Sequence, residues 1–146
     1  MTSTTQARWV PGVSLALALA GLALSAYLTV AHYAADALLC EEGAVVDCGK
    51  VTTSEQSELL GVPVAVLGLA FFVFVTVLCL PFAWRDRRLH WVRLGSAGVG
   101  VLFVVYLIAA EFLLIGKICL WCTAVHVVTL ALAGVLVNDA LRRSSL

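Results

Sequence analysis

The feature that most constrains this chain is a set of four long apolar runs separated by short polar breaks. A helix needs roughly 20 residues to cross the hydrocarbon core of a bilayer, so each run is long enough to span it. The chain is 62% hydrophobic and only 12% charged, which is far more apolar than an ordinary soluble domain. We therefore predict an all-α integral membrane protein, with residues 1–146 forming one four-transmembrane-helix bundle. The predicted spans cover about residues 13–33, 64–84, 92–115 and 119–140.

Charged residues are distributed unevenly between the two ends of the predicted bundle. The seven arginines fall at one end, whereas both lysines fall at the other end with six acidic residues. The positive-inside rule then predicts a multi-pass protein of the cell (inner) membrane with both termini and the 85–93 loop in the cytoplasm. The 36–62 loop and the 116–118 break would lie on the extracytoplasmic side. We interpret the basic 85–93 loop as a topology anchor, and we predict no nucleic-acid partner.

The first apolar run has two interpretations. A short polar tail with Arg8 precedes it, and its small-residue stretch at 22–26 is similar to a signal-peptide cleavage site. The run is nevertheless long for a signal peptide, and Gly21, Ser25 and Thr29 form a stripe of small residues suited to close helix packing. We expect the run to be retained as the first span.

Four of the five cysteines lie on or beside the predicted extracytoplasmic side, in two pairs. Cys40 and Cys48 are close enough in sequence to close a small disulfide ring, and Cys119 and Cys122 form a C-x-x-C where the last run begins. Residues three apart are neighbours on a helix, and a helix N-terminus favours the reactive thiolate. Disulfides persist on this side of the membrane. The pattern predicts redox chemistry and no metal site.

Two such pairs allow disulfide exchange in relay, in which a thiolate attacks a disulfide and passes electrons onward. The alternative is a non-enzymatic tetraspan scaffold with structural disulfides. A bridge across two residues constrains almost no chain, which favours the relay. Acidic neighbours disfavour the thiolate at Cys40 and Cys48, whereas Lys117 and the helix start favour it at the C-x-x-C. The predicted electron path therefore runs from the loop pair to the C-x-x-C pair.

A relay at this depth needs an electron acceptor. No nucleotide motif, haem-attachment sequence or metal-ligand set is apparent in the sequence, so a membrane-soluble quinone is the simplest acceptor. His126 lies one helical turn after Cys122, where it could bond a quinone oxygen; a histidine that only packs between helices is the alternative. Glu111, near the end of the third run, either reaches out to water or forms part of the site.

The extracytoplasmic loop carries a helix signal of its own. Thr52 and Glu55 fit a capping box, which predicts a short helix at about residues 54–60 lying across the outer mouth of the bundle. This half-helix would turn Leu60 toward the membrane. Pro63 then suits the first turn of the second span, where its missing N–H costs nothing.

An ordered set of residues runs through nearly the whole chain: Cys40-x7-Cys48, then Ser54, then Gly61-Val62-Pro63 with Gly68, then Cys119-x-x-Cys122-Thr123 and His126. This set resembles the vitamin K epoxide reductase (VKOR) family, in its bacterial branch without a fused thioredoxin-like domain. DsbB-like oxidases also have four spans and two cysteine pairs, but their C-x-x-C comes in the first outer loop.

The resemblance implies a quinone-dependent thiol oxidoreductase that reoxidises a separate DsbA-like thioredoxin-fold partner and so supports disulfide bond formation. Cys40 would exchange with the partner, Cys48 would pass the disulfide to Cys119, and Cys122 would lie against a quinone of the menaquinone, ubiquinone or vitamin K type. The loop and its half-helix would cover the quinone. No role is expected for Cys79. The implied quinone contacts are Cys122, His126, Ser54, Leu60 and Ala65.

Overall fold

The computed structural model describes residues 7–145, which are mostly helical. Within this part of the chain the elements, in order, are α1 (Val10–Tyr33), α2 (Cys48–Thr52), β1 (Glu58–Leu59), β2 (Val62–Pro63), α3 (Val64–Cys79), α4 (Arg87–Ala109) and α5 (Leu120–Ser144). Three helices are long and apolar enough to cross a membrane, namely α1, α4 with its extension to Ile115, and α5. The remaining apolar helix, α3, is shorter at 16 residues. These features confirm a mostly helical protein with the composition of a membrane bundle.

The helices begin and end differently from the apolar runs because polar residues cap and extend them. The helix α1 begins at Val10 with a proline in its first turn, a position that tolerates the missing N–H. The helix α4 begins at Arg87 because the Asp86 carboxylate accepts a bond from the Arg88 backbone N–H at 2.8 Å. The helix α5 continues to Ser144, and arginines in its last turn complement the helix dipole.

The second span ends earlier than predicted, at Cys79 and not at about residue 84. Leu80 precedes a proline and adopts an extended conformation, so the helix stops there. A 3-10 turn at Pro81–Arg85 follows. The open carbonyls at the end of α3 are then satisfied by side chains: Trp84 Nε1 donates to Cys79 O at 3.0 Å, and Arg93 Nη1 donates to Leu78 O at 2.9 Å. The apolar pattern alone did not reveal this stop.

The four long helices pack in the order α3–α1–α5–α4, and α3 and α4 contact each other only weakly. The predicted small-residue stripe on α1 faces α3: a Cβ at Gly21 would overlap the Phe72 ring, and Ser25 lies beside Gly68. We call the two ends of the bundle the arginine end, which carries Arg85, Arg87, Arg88, Arg93, Arg142 and Arg143, and the cysteine end, which carries Cys40, Cys48, Cys119 and Cys122.

The predicted half-helix at about residues 54–60 is wrong. The structure has the short helix α2 at Cys48–Thr52, then one 3-10 turn at Glu55–Ser57 and the hairpin β1–β2. The Thr52 hydroxyl bonds back to the Cys48 carbonyl oxygen at 2.8 Å, so it does not form the expected capping box with Glu55. Leu60 and Gly61 both have positive φ, the backbone combination of a tight hairpin turn.

Candidate active site

The first cysteine pair forms a disulfide between Cys40 and Cys48, which confirms the predicted loop ring. Cys48 begins α2, whose start is fixed by Asp47: its carboxylate accepts a bond from the Lys50 backbone N–H at 2.8 Å. Cys48 is fully buried, whereas Cys40 is only half-buried. The loop disulfide therefore has one sulfur accessible from outside and one sulfur facing the protein interior.

The second pair, Cys119 and Cys122, consists of free thiols at the start of α5. The pair lies at the helix start, as predicted; Cys119 is the N-cap residue, and its Sγ accepts a hydrogen bond from the Cys122 backbone N–H at 3.3 Å. A hydrogen bond from the Cys122 thiol lowers the pKa of Cys119, and the backbone amides of Trp121 and Cys122 lower it further against the effect of burial. The thiolate of Cys119 is therefore stabilised at the helix start.

All four of these cysteines belong to one packed cluster. Cys48, Val51 and Cys119 form its buried centre, and Cys40 and Cys122 pack against that centre. The buried cysteine of the loop disulfide and the helix-capping cysteine thus belong to the same cluster, although about 70 residues separate them in sequence. Cys79 is also fully buried, but it lies in the core near the arginine end with Val75 and Leu136.

Backbone pairing fastens the loop over the second pair. Val46 and Ile118 form a parallel bridge, in which Asp47 N donates to Ile118 O at 3.1 Å and Ile118 N donates to Val45 O at 3.0 Å. Lys117 donates from Nζ to Ala44 O at 2.7 Å. The Lys117 ammonium group thus binds the loop, while the Cys122 thiol and the amides of the helix start lower the pKa of Cys119; an effect of Lys117 on the thiolate stays a prediction.

Two aromatic residues that the sequence did not single out for the site complete this attachment. Trp121, inside the C-x-x-C, donates from Nε1 to Leu39 O at 2.6 Å, and its ring lies 4.7 Å from that of Tyr27. The Tyr27 hydroxyl accepts from Leu39 N at 2.7 Å and donates to Ala37 O at 3.0 Å. The available signal was chemical: each ring carries a polar atom that usually finds a hydrogen-bond partner when the ring is buried.

A cavity of about 260 Å³ lies next to this cluster, between α3 and α4, which contact each other only weakly. All four long helices contribute to its walls, which are mostly apolar, and α2 with the following turn closes one side. Its lining includes four of the predicted quinone contacts, namely Ser54, Ala65, Cys122 and His126. Leu60 is not among the lining residues: it lies at the tip of the hairpin and is 98% exposed. The prediction of a Leu60 contact rested on the half-helix that does not form.

Two further polar residues lie in the cavity wall. The sequence left the role of Glu111 open and did not point to His32. Glu111 is only 5% exposed, so its side chain points into the protein and does not reach out to water. His32, on α1, donates from Nδ1 to the Thr52 carbonyl oxygen at 3.1 Å and thereby ties α1 to the end of α2. Among residues 7–145, no group of three or more His, Cys, Asp or Glu side chains is arranged to hold a metal ion.

The sequence matches the family model described as Vitamin K epoxide reductase family over residues 13–137, which is most of the chain. No curated protein matches it. The matched region includes both cysteine pairs and every residue that lines the cavity.

Proposed function

The chain belongs to the vitamin K epoxide reductase family, and on that premise we propose that it is a membrane enzyme that oxidises the dithiol of a thioredoxin-fold protein. The electrons pass through Cys40 and Cys48, then through Cys119 and Cys122, to a quinone. The reoxidised thioredoxin-fold protein can then support disulfide bond formation. Family membership supports the coarser assignment, a membrane thiol–disulfide oxidoreductase.

One observation supports this path above the others: the four sulfurs form a graded series from the surface to the cavity. Cys40 is half-buried, Cys48 and Cys119 are fully buried in one cluster, and Cys122 lines the cavity. Thiol–disulfide exchange needs direct sulfur–sulfur contact, so a relay requires such a continuous series. Disulfides with a purely structural role would not require a cavity beside the last cysteine of the series.

The exchange steps follow from this order. A partner thiolate attacks Cys40, and a second partner thiol completes the reduction of the loop disulfide. The Cys48 thiolate then attacks Cys119 of an oxidised C-x-x-C pair, and Cys122 leaves. Attack of Cys40 on Cys48 restores the loop disulfide and releases Cys119, which gives the combination of one disulfide and two free thiols that the structure holds.

The cavity suits a quinone because it is apolar over most of its surface and has polar groups at the end near the sulfurs. When bound, the quinone takes up two electrons and two protons as the Cys119–Cys122 disulfide re-forms. Cys122 supplies the sulfur nearest the cavity, and His126, one turn further along α5, is placed to hold a quinone oxygen by a hydrogen bond.

The experiment is turnover by purified protein with a reduced thioredoxin-fold protein and a short-chain quinone, followed by quinone absorbance. We expect Cys119→Ser to abolish turnover at normal membrane levels, and the matched variant Cys79→Ser to retain it. Quinone reduction that persists in Cys119→Ser would exclude the relay. If the wild type shows no turnover and Cys119→Ser fails to fold, the result would instead favour the tetraspan scaffold with structural disulfides.

A further inference from the structure

Glu111 is a buried acidic residue that the exchange steps above do not use. It lies in a π-helical turn, Ala110–Ile115, that ends at Gly116 with φ +71°, and the Gly116 backbone N–H donates to the Glu111 carbonyl oxygen at 2.8 Å. A π turn shifts the helical register by one residue and is frequent at functional sites. Here it coincides with the point at which an acidic side chain faces the cavity.

The carboxyl group of Glu111 faces the reactive pair directly. Glu111 and Cys122 line the same cavity, and Ile115, at the end of the π turn that carries Glu111, packs against the cluster that contains Cys119. The other titratable side chains in the cavity wall are His32 from α1, and Cys122 and His126 from α5; α3 contributes none. No lysine or arginine lines this cavity, within the described residues.

The lack of a cationic partner argues against a structural ion pair. The one salt bridge found among residues 7–145 joins Arg143 to Asp139 at the arginine end. A carboxyl group that is buried beside a nucleophilic pair, and whose position is fixed by backbone geometry, has the arrangement of a general acid or base.

The relay contains a step that needs such a group. When Cys48 attacks Cys119, the Cys119–Cys122 bond breaks and Cys122 leaves with the electron pair into a cavity whose walls are mostly apolar. An anionic sulfur is poorly stabilised in such surroundings, so a proton delivered at that moment favours bond cleavage.

We propose that Glu111 is the general acid and base of this pair: its carboxylic acid protonates Cys122 as the Cys119–Cys122 bond breaks, and its carboxylate takes the proton back when the bond re-forms. This inference rests on the proposed function. The two electrons pass from the loop sulfurs to the C-x-x-C sulfurs and then to the quinone. The protons of the loop thiols leave to water on the Cys40 side, the quinone takes its two protons from water, and Glu111 ends each cycle unchanged.

The test uses the full chain in detergent without quinone, so its readout is separate from turnover. Oxidised protein is mixed with a reduced thioredoxin-fold protein, the reaction is quenched with acid, and mass spectrometry after alkylation counts the thiols at Cys119 and Cys122. The variants are Glu111→Gln and Glu111→Asp, and the matched control is Glu58→Gln, an exposed acidic residue at the cysteine end. Melting temperatures are recorded for all of them.

We expect Glu111→Gln to slow the opening of the C-x-x-C disulfide by at least about 10-fold. The donor is the acid form, so the ratio of wild-type to Glu111→Gln rates should be largest at low pH and fall as pH rises. Glu111→Asp should keep that pH-dependent ratio, and Glu58→Gln should match wild type.

The proposal is overturned if Glu111→Gln stays within about threefold of wild type at every pH, because general acid catalysis contributes far more than that. It is also overturned if the rate ratio does not change with pH, or if Glu111→Asp loses the pH dependence, since either result indicates a purely structural role. A wild type that never opens its C-x-x-C disulfide would instead refute the proposed function, and the two failures are therefore distinguishable.

Discussion

The two ends of the bundle are built from the same helices, yet they differ in how closely their side chains pack. At the arginine end, small and medium-sized side chains fill the interior, with Ala18, Val75, Ala97 and Leu132 in one close-packed core. At the cysteine end α3 and α4 contact each other only weakly, and a cavity lies between them and the loop. The arginine end is thus close-packed, whereas the cysteine end has looser packing around the candidate site.

The buried cysteines make the difference specific. Cys79 and Cys119 are both fully buried, but Cys79 packs among apolar side chains while Cys119 caps a helix beside a disulfide. The two thiols therefore differ in their neighbours and not in their burial. The neighbours decide, because exposed helix amides and a second sulfur are what stabilise a thiolate and give it a reaction partner.

The largest effect should come from removing the Cys48 thiol at the cysteine end. We expect Cys48→Ala to reduce turnover by at least about 1,000-fold, since no other sulfur lies between Cys40 and Cys119, and a factor of that size is about 4 kcal/mol in activation free energy. The variant should also leave Cys40 joined to the partner as a mixed disulfide. Non-reducing electrophoresis and mass spectrometry of the adduct are the measurements.

The control for this variant is the cysteine of the other end. Cys79→Ala should retain turnover and form no adduct, because Cys79 has no sulfur neighbour in its core. An adduct that forms equally with Cys79→Ala, or a Cys48→Ala protein that still turns over, would contradict the assignment of the relay to the cysteine end.

The second effect should appear at the arginine end and in stability only. Arg93 is 2% exposed, donates from Nη1 to Leu78 O and Ala83 O at 2.9 and 3.2 Å, and stacks 3.9 Å over the Trp84 ring. We expect Arg93→Met to lower the free energy of unfolding by about 2 kcal/mol, because two buried carbonyls lose their donor and the cation–π contact is lost.

Thermal unfolding in detergent measures this loss, and turnover per folded molecule should stay within about twofold of wild type. Arg88→Met is the matched control, because the Arg88 side chain is exposed and only its backbone is bonded to Asp86. A selective loss of turnover in Arg93→Met, with unchanged stability, would show that the two ends are not separate in role.

The third effect should fall on the cavity. Ala65 and Ala70 lie on the same helix, but Ala65 lines the cavity whereas Ala70 is exposed on the outside of α3. We expect Ala65→Trp to raise the KM for the quinone by about 10-fold, or roughly 1.4 kcal/mol, since the indole ring occupies part of a cavity of about 260 Å³. Ala70→Trp should leave KM unchanged, and equal effects of both variants would place the quinone elsewhere.

Much of the molecule followed from local signals in the sequence. Each apolar run contains a helix, the cysteine spacing in the loop forms the predicted ring, and Cys119 caps α5 as a C-x-x-C at a helix start should. These features depend on residues close together in the chain, where length, periodicity and capping rules apply. The stop before Pro81 was also a local signal, although the uninterrupted apolar composition concealed it.

What the sequence did not reveal depends on contacts between distant segments. In the sequence Lys117 is a close neighbour of the C-x-x-C, yet its ammonium group donates to the carbonyl oxygen of Ala44, which is 73 residues away. The direction of the Glu111 side chain depends on a π turn that no periodicity announces. The half-helix failed for a related reason: Thr52 had a competing partner in Cys48 O, so the capping box that its spacing allows did not form.

The smallest effect should come from one hydrogen bond of this long-range kind. Trp121→Phe removes the Nε1 donor to Leu39 O but keeps an aromatic ring beside Tyr27, so the loop loses one bond out of several. Since a single hydrogen bond contributes about 1 kcal/mol, we expect a small fall in melting temperature and a rate of exchange from Cys48 to Cys119 slower by about fivefold or less. Quench-and-alkylate kinetics measure that rate. The exposed Trp91 at the arginine end provides the matched control, Trp91→Phe, which should change neither quantity. If the two variants behave alike, the Val46–Ile118 pairing and the bonds from Lys117 and Tyr27 hold the loop over Cys119 without Trp121, and the tryptophan inside the C-x-x-C does not help to position the two pairs.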